Sequence, residues 1–334
     1  MESVTHHGRE TAYRDATDGP DPVLYIHGSG GTHSVWGEQC GRPGHDAVAL
    51  DLSGHGDSED VDFGPRAGLD AMAAYADDLV AVARETDATV LCGNSLGGAV
   101  ALTVALDREL PLDGLVLVGT GAKLGVADDL LDALGGDYEA AIDALVDDDM
   151  LYHTPTNERR ADARGMFRAV GRRATERDFR ACHAFDVRDR LDGVDCPTLV
   201  INGEHDRLTP PTFHEYLAEH LPDARRVEIP DAAHMPYVER PAPFNDAVDR
   251  LLAAPDRPVR RPPPGSRRRR RPLGFRTGGV RAARPRRAPL GLSQRPHVEP
   301  PEVSRHVTDV LGALPRRRRT RGDGPHDGRE DRSG

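Results

Sequence analysis

Short aliphatic runs alternate with helix-like segments over residues 1–254, and this alternation restricts the fold more than any other feature of the chain. Six runs are typical of buried strands, because they are short and are bounded by Gly, Pro or Asp. They are Val23–Ile26, Ala47–Leu50, Thr89–Cys92, Leu115–Val118, Thr198–Ile201 and Arg226–Ile229. Strands that alternate with helices favour an α/β fold, with a mostly parallel sheet covered by helices on both faces.

The segment Asp70–Arg84 has a clear helical spacing. Its apolar side chains fall on one stripe of a helix, and they are Met72, Tyr75, Ala76, Leu79, Val82 and Ala83. We expect Asp77, Asp78 and Arg84 to face away from that stripe.

Two intervals depart from the alternation. Residues 123–192 contain acidic, helix-like segments without a strand pattern, and the interval is too long for an ordinary connection. We predict a helical insertion there, within a core made of residues 1–122 and 193–254. Residues 255–334 are rich in Arg and Pro and cannot bury enough apolar surface to offset the entropy of ordering, which predicts a disordered tail.

The net charge of −11 combines an acidic body with a basic tail. Residues 255–334 contain 22 Arg and 8 acidic residues, so residues 1–254 carry a net charge of −25, with Lys123 as the only lysine. Such a body repels itself in dilute buffer, and molar salt screens this repulsion by shortening the Debye length to about 3 Å. We interpret the chain as a cytoplasmic protein of a salt-accumulating, halophilic cell. The alternative is an ordinary acidic protein from a GC-rich genome.

Other features also indicate a soluble, cytoplasmic protein. The four cysteines show no CxxC spacing, so we expect neither a disulfide framework nor a zinc site. The segment Met1–Asp15 lacks the apolar region of a secretory signal, and the longest apolar runs are too short to span a membrane. We expect no membrane partner.

A Gly-x-Ser-x-Gly motif at Gly93–Gly97 follows the predicted strand Thr89–Cys92 and precedes the helix-like run Ala99–Leu106. A nucleophile elbow requires this strand-to-helix context, because its sharp turn exposes the serine at the helix amino terminus. The partial positive charge of that terminus favours developing negative charge. Ser95 is therefore the candidate nucleophile.

A second glycine-rich segment, His27–Gly31, ends the predicted strand Val23–Ile26. Backbone N–H groups in such a turn can stabilise the oxyanion of a tetrahedral intermediate. We predict that the amides of Ser29 and Leu96 form this oxyanion hole; a plain strand-ending turn is the alternative reading of the segment.

The candidate acid and base follow two later strands. Asp206 lies in the loop after Thr198–Ile201, and His234 lies in the loop after Arg226–Ile229. Because the carboxyl ends of parallel strands meet at one sheet edge, these residues can converge with Ser95 in the chain order Ser, Asp, His. His234 would accept the serine proton, and Asp206 would fix the tautomer of His234.

Some residues compete for these roles. Glu204, Asp113 and Asp128 are other acids near predicted strands, and the histidines His205, His214 and His220 lack the context of His234.

Together these motifs resemble the α/β-hydrolase superfamily over about Val4–Ala254, in its subgroup of small esterases, lactonases and C–C bond hydrolases. The resemblance also rests on Asp51–Ser58, His234–Pro236 and Glu239–Pro241. It implies an eight-stranded, mostly parallel sheet and a helical cap, formed by the insertion, over the serine. It further implies a structural role for Asp51–Ser58, with His55 as a loop residue. Candidates for the substrate pocket are Trp36, His33, Met150, Tyr152 and Phe167, each of which fits core packing equally well.

The serine at the elbow narrows the reaction. Haloalkane dehalogenases and epoxide hydrolases of this superfamily use an aspartate there, and no HExxH motif supports a metal. We expect a hydrolase without cofactor or metal that acts on a small carboxylic ester, thioester or lactone through an acyl-enzyme on Ser95. C–C bond hydrolysis ranks second, because Gly31 stands where those hydrolases usually have proline, and acyl transfer to another acceptor ranks third.

Two alternative functions do not involve enzymatic activity. Receptors and scaffolds with this fold often lose triad residues, whereas this chain has all three. The tail could bind nucleic acid through Arg267–Arg271 and Arg316–Arg319, but such binding weakens steeply with salt and aromatic residues for base stacking are absent. We therefore expect a small acyl substrate as the partner rather than nucleic acid, and the oligomeric state stays open.

If the acidic body is adapted to salt, the stability and the hydrolytic activity of the protein rise between dilute buffer and molar KCl, because the added ions screen the repulsion among its carboxylates. Thermal unfolding followed by circular dichroism, together with ester hydrolysis across a KCl series, measures both. A flat or falling response would support the ordinary acidic protein instead.

Overall fold

A computed structural model describes residues 1–62, 67–147 and 149–253. Its eight strands are β1 (Glu2–His6), β2 (Arg9–Ala16), β3 (Val23–Ile26), β4 (Ala47–Leu50), β5 (Val90–Asn94), β6 (Gly114–Val118), β7 (Thr198–Gly203) and β8 (Ala224–Ile229). They form one sheet in the order β1-β2-β4-β3-β5-β6-β7-β8. Strands β3 to β8 are parallel, and β1 and β2 pair antiparallel with their neighbours. The predicted α/β fold with a mostly parallel, eight-stranded sheet is confirmed.

Helices lie on both faces of this sheet and at one end of it. They are α1 (Gly37–Cys40), α2 (Ala67–Thr86), α3 (Leu96–Asp107), α4 (Asp128–Gly135), α5 (Tyr138–Asp147), α6 (Asn157–Val170), α7 (Arg172–Ala184), α8 (Pro211–His220), α9 (Pro236–Glu239) and α10 (Pro241–Leu252).

Both faces of the central strands are buried. In β3, Leu24 and Ile26 belong to the core formed with α2 and α3, whereas Val23 and Tyr25 belong to the core on the opposite face, which includes α10. This burial on two sides explains why these strands are continuous apolar runs rather than alternating ones.

The first two strands form an edge hairpin that the sequence analysis did not identify. They are joined at His7 and Gly8, whose φ angles of 47° and 78° match a tight two-residue turn. Only Thr11, Ala12 and Tyr13 of β2 are fully buried. The hairpin therefore has too few aliphatic residues to resemble the central strands.

Helices α4 to α7 occupy the interval between β6 and β7, where the sequence predicted a helical insertion. An isolated bridge between Lys123 and Asp186 joins the two ends of this interval, and its described residues include no regular strand. Ala181 and Cys182 of α7 share an apolar core with Leu79 of α2. The division of the chain into a core and a separate cap at residues 123–192 stays a prediction.

The structure corrects the prediction for one acidic residue of α2. Asp78 is completely buried and does not face solvent. Its Oδ1 accepts hydrogen bonds from Arg9 at 2.7 and 3.0 Å, and its Oδ2 accepts one from the Ser53 amide at 2.8 Å. Burial alone would raise the pKa of Asp78, but the hydrogen bond from His6 and the charge of Arg9 hold this pKa below its ordinary value. The carboxylate thus ties the edge hairpin to α2.

Other predictions concern the cysteines, membrane segments and the tail. Cys40, Cys92, Cys182 and Cys196 are all free thiols and buried. No helix in the described part of the chain is long and apolar enough to cross a membrane. The tail at residues 255–334 lies outside the described residues.

Replacing Asp78 with alanine leaves Arg9 without its buried partner, and we expect the free energy of unfolding to fall by about 3–5 kcal/mol. Asp77→Ala, one position earlier, removes a half-exposed pair with Arg108 and serves as the control, with an expected loss of at most about 1 kcal/mol. Because the pKa of Asp78 is lowered in the folded state, its stabilisation is present above the unfolded pKa of about 3.9 and disappears as the pH falls through the lower, folded value. Urea unfolding from pH 7 to pH 3 measures this, and equal losses for the two variants at pH 7 would contradict it.

Candidate active site

Ser95 occupies the sharp turn between β5 and α3. Its φ of 53° and ψ of −115° are unusual for a residue with a side chain. A Cβ at Gly93 would lie 2.2 Å from the Gly97 carbonyl oxygen, and a Cβ at Gly97 would lie 2.4 Å from the Ile26 carbonyl oxygen. Glycine is therefore required on both sides of the serine, and this close backbone approach explains the Gly-x-Ser-x-Gly pattern.

The predicted acid and base are in contact. Nδ1 of His234 lies 3.0 Å from Oδ2 of Asp206, and both side chains are almost completely buried. Asp206 Oδ1 accepts the amides of Leu208 and Thr209 at 3.0 and 2.9 Å, and Oδ2 also accepts the Thr209 hydroxyl at 2.7 Å.

These contacts favour the ionised form of Asp206. Burial alone would raise the pKa of Asp206, but the charge and hydrogen bond of His234 and the Thr209 amide hold this pKa below its ordinary value. Because the carboxylate only accepts hydrogen bonds, Nδ1 of His234 carries the proton. Nε2, the other ring nitrogen, bonds to no described residue and is the atom that a general base would use.

The turn at His27–Gly31 has a defined backbone geometry. The Gly28 carbonyl accepts hydrogen bonds from the Gly31 amide at 3.1 Å and from His27 Nδ1 at 2.8 Å. Since His27 Nε2 accepts the Leu52 amide at 3.1 Å, the His27 proton is on Nδ1. Burial, and then the nearby charge of His55, lower the pKa of His27 to about 4, so that it is neutral.

The two predicted oxyanion donors are available. The Ser29 amide belongs to the same trans peptide as the Gly28 carbonyl and points the opposite way, and it bonds to no other described residue. The Leu96 amide is the first of α3, where no carbonyl of its own helix can accept it. Both amides are free to bind an anion.

Some of the predicted residues meet at a cavity of about 90 Å³. Ser29, Ser95 and His234 all border it, with Asp206 behind His234. The Ser95 hydroxyl makes no hydrogen bond to another described residue, and contacts between nucleophile and base often tighten only when substrate binds.

Most of the cavity wall is apolar. Its apolar side chains come mainly from the helical insertion and from the loops after β3, β7 and β8, and they are Val35, Leu124, Val126, Ala127, Leu130, Leu151, Met166, Phe167, Phe179, Leu208, Phe213 and Met235. None of the described residues that line it is Asp, Glu, Lys or Arg.

Of the five residues predicted to form the substrate pocket, Phe167 borders this cavity and the other four do not, and their role in substrate binding stays a prediction. Trp36 is fully buried and stacks on Tyr237 at 3.9 Å, and His33 Nδ1 binds Asp51 at 3.0 Å. Met150 and Tyr152 are buried in the packing around Leu151, and it is Leu151 that reaches the cavity.

Sequence reasoning also missed the residues that hold His234. The side-chain amide of Asn94 donates to the His234 carbonyl at 3.1 Å, and Tyr237 donates to Asn94 Oδ1 at 3.2 Å. Glu239 accepts the amides of Ala233 and His153 at 2.7 Å each. Asn94 and Glu239 lie inside motifs that were recognised, but a motif does not show which backbone group a side chain binds.

One cluster at the surface has metal-ligand chemistry. His153, His205 and Asp231 bring potential ligand atoms within 4.8 Å of one another. The two imidazole rings, however, stack at 3.8 Å with an angle of 18° between their planes. A metal ion lies in the plane of each imidazole that binds it, and two nearly parallel planes at this separation share no such point. This arrangement does not fit a metal.

The geometry agrees with comparisons to known proteins. A sequence model of the alpha/beta hydrolase family matches residues 23–247, well over half of the chain. The chain belongs to the alpha/beta hydrolase family. This hydrolase is 31% identical over 262 residues to a pimeloyl-[acyl-carrier protein] methyl ester esterase of Neisseria meningitidis serogroup C, a match that covers 71% of this chain and 95% of that protein.

Solved structures are similar as well. One is described as a thermophilic esterase: it is 30% identical to this hydrolase with a TM-score of 0.66, and the match covers 75% of this chain and 96% of that one. Another, Est816, is described as an N-acyl homoserine lactone degrading enzyme, with 26% identity, a TM-score of 0.65 and coverage of 74% and 99%.

Replacing Asp206 with asparagine tests the acid–base pair. The amide donates where the carboxylate accepts, so His234 takes the wrong tautomer, and we expect kcat for ester hydrolysis to fall about 10⁴-fold. The control is Glu204→Gln, which changes an exposed acid two positions away and should leave kcat within about twofold of the wild type. A kcat in Asp206→Asn within tenfold of the wild type would exclude this role for Asp206.

Proposed function

We propose that the protein hydrolyses small, uncharged carboxylic esters, including thioesters and lactones, through an acyl-enzyme on Ser95. The observation that carries the proposal is the hydrogen bond between Asp206 and His234, behind a cavity that Ser95 and His234 share. This constellation suits acyl transfer.

The reaction follows from the protonation states of these groups. Ser95 Oγ attacks the ester carbonyl carbon while Nε2 of His234 takes the hydroxyl proton. The carbonyl oxygen becomes an oxyanion that accepts hydrogen bonds from the amides of Ser29 and Leu96. When the intermediate collapses, the bond to the leaving oxygen breaks and His234 returns the proton to it. Water then attacks the acyl-serine with His234 as base, which releases the acid and restores Ser95.

The cavity supports a short and uncharged acyl group. Its volume of about 90 Å³ is smaller than the roughly 150 Å³ of a cavity that binds benzene. Its described lining contains no Asp, Glu, Lys or Arg, and burial of an unpaired carboxylate is costly.

The lack of a cation in the described lining also disfavours C–C bond hydrolysis, because the ring-fission products that such enzymes cleave carry a carboxylate. The esterase and lactonase descriptions of similar proteins favour ester and lactone chemistry. Acyl transfer to another acceptor ranks below hydrolysis, as no described residue of the cavity offers a charged partner for a second substrate.

The helical insertion at residues 123–192 acts as the cap in this proposal. Leu130, Met166, Phe167 and Phe179 come from it and line the cavity, so the insertion sets the length of the acyl chain. A location in a salt-rich cytoplasm is part of the same proposal, and the net charge of −25 over residues 1–254 supports it.

A fluorophosphonate probe should label the wild type and leave Ser95→Ala unlabelled, because the probe forms its bond with an activated serine. In molar KCl, we expect kcat/KM to be highest for p-nitrophenyl esters with acyl chains of two to four carbons. For p-nitrophenyl octanoate it should be lower by a factor of about ten or more.

The matched comparison is p-nitrophenyl butyrate against the p-nitrophenyl monoester of succinic acid, which has a similar length but carries a carboxylate. The monoester of succinic acid should have the lower kcat/KM. An equal or higher kcat/KM for the succinic acid monoester would refute the preference for an uncharged acyl group. A folded wild type that the probe does not label would refute the serine mechanism.

A further inference from the structure

Asp178, on helix α7 of the insertion, is completely buried and lies next to the turn that carries the proposed oxyanion donor Ser29. Its Oδ2 accepts the Gly30 amide at 2.9 Å and His55 Nε2 at 2.8 Å. Its Oδ1 accepts the Tyr75 hydroxyl at 2.6 Å. One carboxylate thus joins the insertion to the turn after β3, to the loop after β4 and to α2.

The partners of His55 make the contact strongly electrostatic. His55 Nδ1 lies 3.2 Å from the Ser53 carbonyl oxygen, while its Nε2 faces Asp178. Both oxygens can only accept, so both ring nitrogens carry a proton and His55 is a cation. Burial alone would lower the pKa of His55, but the charge of Asp178 and its hydrogen bond hold this pKa above its ordinary value.

Gly30 is constrained from two sides. It has a φ of 67°, and a Cβ at this position would lie 2.3 Å from the ring of Phe167. Its amide belongs to the peptide that Ser29 begins, so the bond to Asp178 fixes the backbone immediately after the proposed oxyanion donor. The hydrogen bonds of the Gly28 carbonyl fix the backbone immediately before it.

We propose that Asp178 is a positioning residue that holds the Ser29 amide in its oxyanion-binding orientation from helix α7, an inference that rests on the proposed serine mechanism. No sequence motif indicates a role for Asp178, and His55 was expected to be only a loop residue. A carboxylate suits this task because it accepts from three donors at once, and hydrogen bonds to a charged acceptor are stronger than those between neutral groups. The insertion thereby contributes to the chemistry as well as to the pocket.

The central test is Asp178→Asn, which keeps the shape of the side chain but has one acceptor oxygen in place of two. We expect kcat for p-nitrophenyl butyrate, per active site titrated with fluorophosphonate, to fall about 10- to 100-fold with KM within about twofold. This is below the roughly 10²- to 10³-fold that follows complete removal of an oxyanion donor. The affinity for butylboronic acid, whose serine adduct is tetrahedral, should fall in proportion to kcat.

Two variants separate positioning from stability. Glu176→Gln lies on the same helix in an exposed pair with Arg180 and should leave kcat unchanged. Tyr75→Phe removes the bond to Oδ1 and spares the bond to Gly30, so it should lose stability with a smaller fall in kcat than Asp178→Asn. The proposal is wrong if Asp178→Asn keeps the wild-type kcat per titrated site. It is also wrong if the falls in kcat of Asp178→Asn and Tyr75→Phe are simply proportional to their losses of stability.

Hydrogen–deuterium exchange keeps the inference testable apart from catalysis. The Gly30 amide should exchange faster in Asp178→Asn than in the wild type and at the wild-type rate in Glu176→Gln. Unchanged exchange of Gly30 in Asp178→Asn overturns the positioning role. A wild type that hydrolyses no ester and is not labelled by the probe overturns the serine mechanism and the catalytic part of the inference. In that case, faster exchange of the Gly30 amide in Asp178→Asn would still support the anchoring of the turn by Asp178.

Discussion

The close approach of backbone to backbone at the elbow is the constraint on which the rest of the site depends. Helix α3 begins directly after β5, and side chains at Gly93 or Gly97 would collide with main-chain oxygens. This contact places Ser95 and the Leu96 amide at the carboxyl edge of the sheet. The loops after β3, β7 and β8 end at the same edge because these strands are parallel. For that reason the proposed donor Ser29 and the proposed base His234 border the same cavity as Ser95, with the proposed acid Asp206 behind His234.

The sequence predicted the parts of this arrangement that depend on local patterns. Aliphatic runs identified the six parallel strands, and Gly93 and Gly97 on either side of Ser95 identified the elbow, because both signals lie within a few residues. The proposed pairing of Asp206 with His234 came from the topology, and the two side chains are 3.0 Å apart.

Predictions failed where a side chain's environment is formed by distant segments. Asp78 was expected to face away from the core because helical periodicity gives the apolar face of a helix but not the residues that pack against its other faces. Arg9, which binds the Asp78 carboxylate, is 69 positions away in the sequence. The lining of the cavity shows the same limit: whether Leu151 or its neighbours Met150 and Tyr152 reach the cavity depends on packing within the insertion. Asp178 gave no signal because its partners come from three other segments of the chain.

Two neighbouring histidines near the turn His27–Gly31 differ in charge. The rings of His27 and His55 are 4.8 Å apart, yet their hydrogen bonds make His27 neutral and His55 cationic. Each ring already uses both of its nitrogens, so neither has a lone pair or a proton to exchange with a substrate. His234 alone of these three faces the cavity with an unshared nitrogen. In the proposed mechanism, proton transfer during turnover is therefore confined to His234, while neutral His27 and cationic His55 hold the groups around the turn.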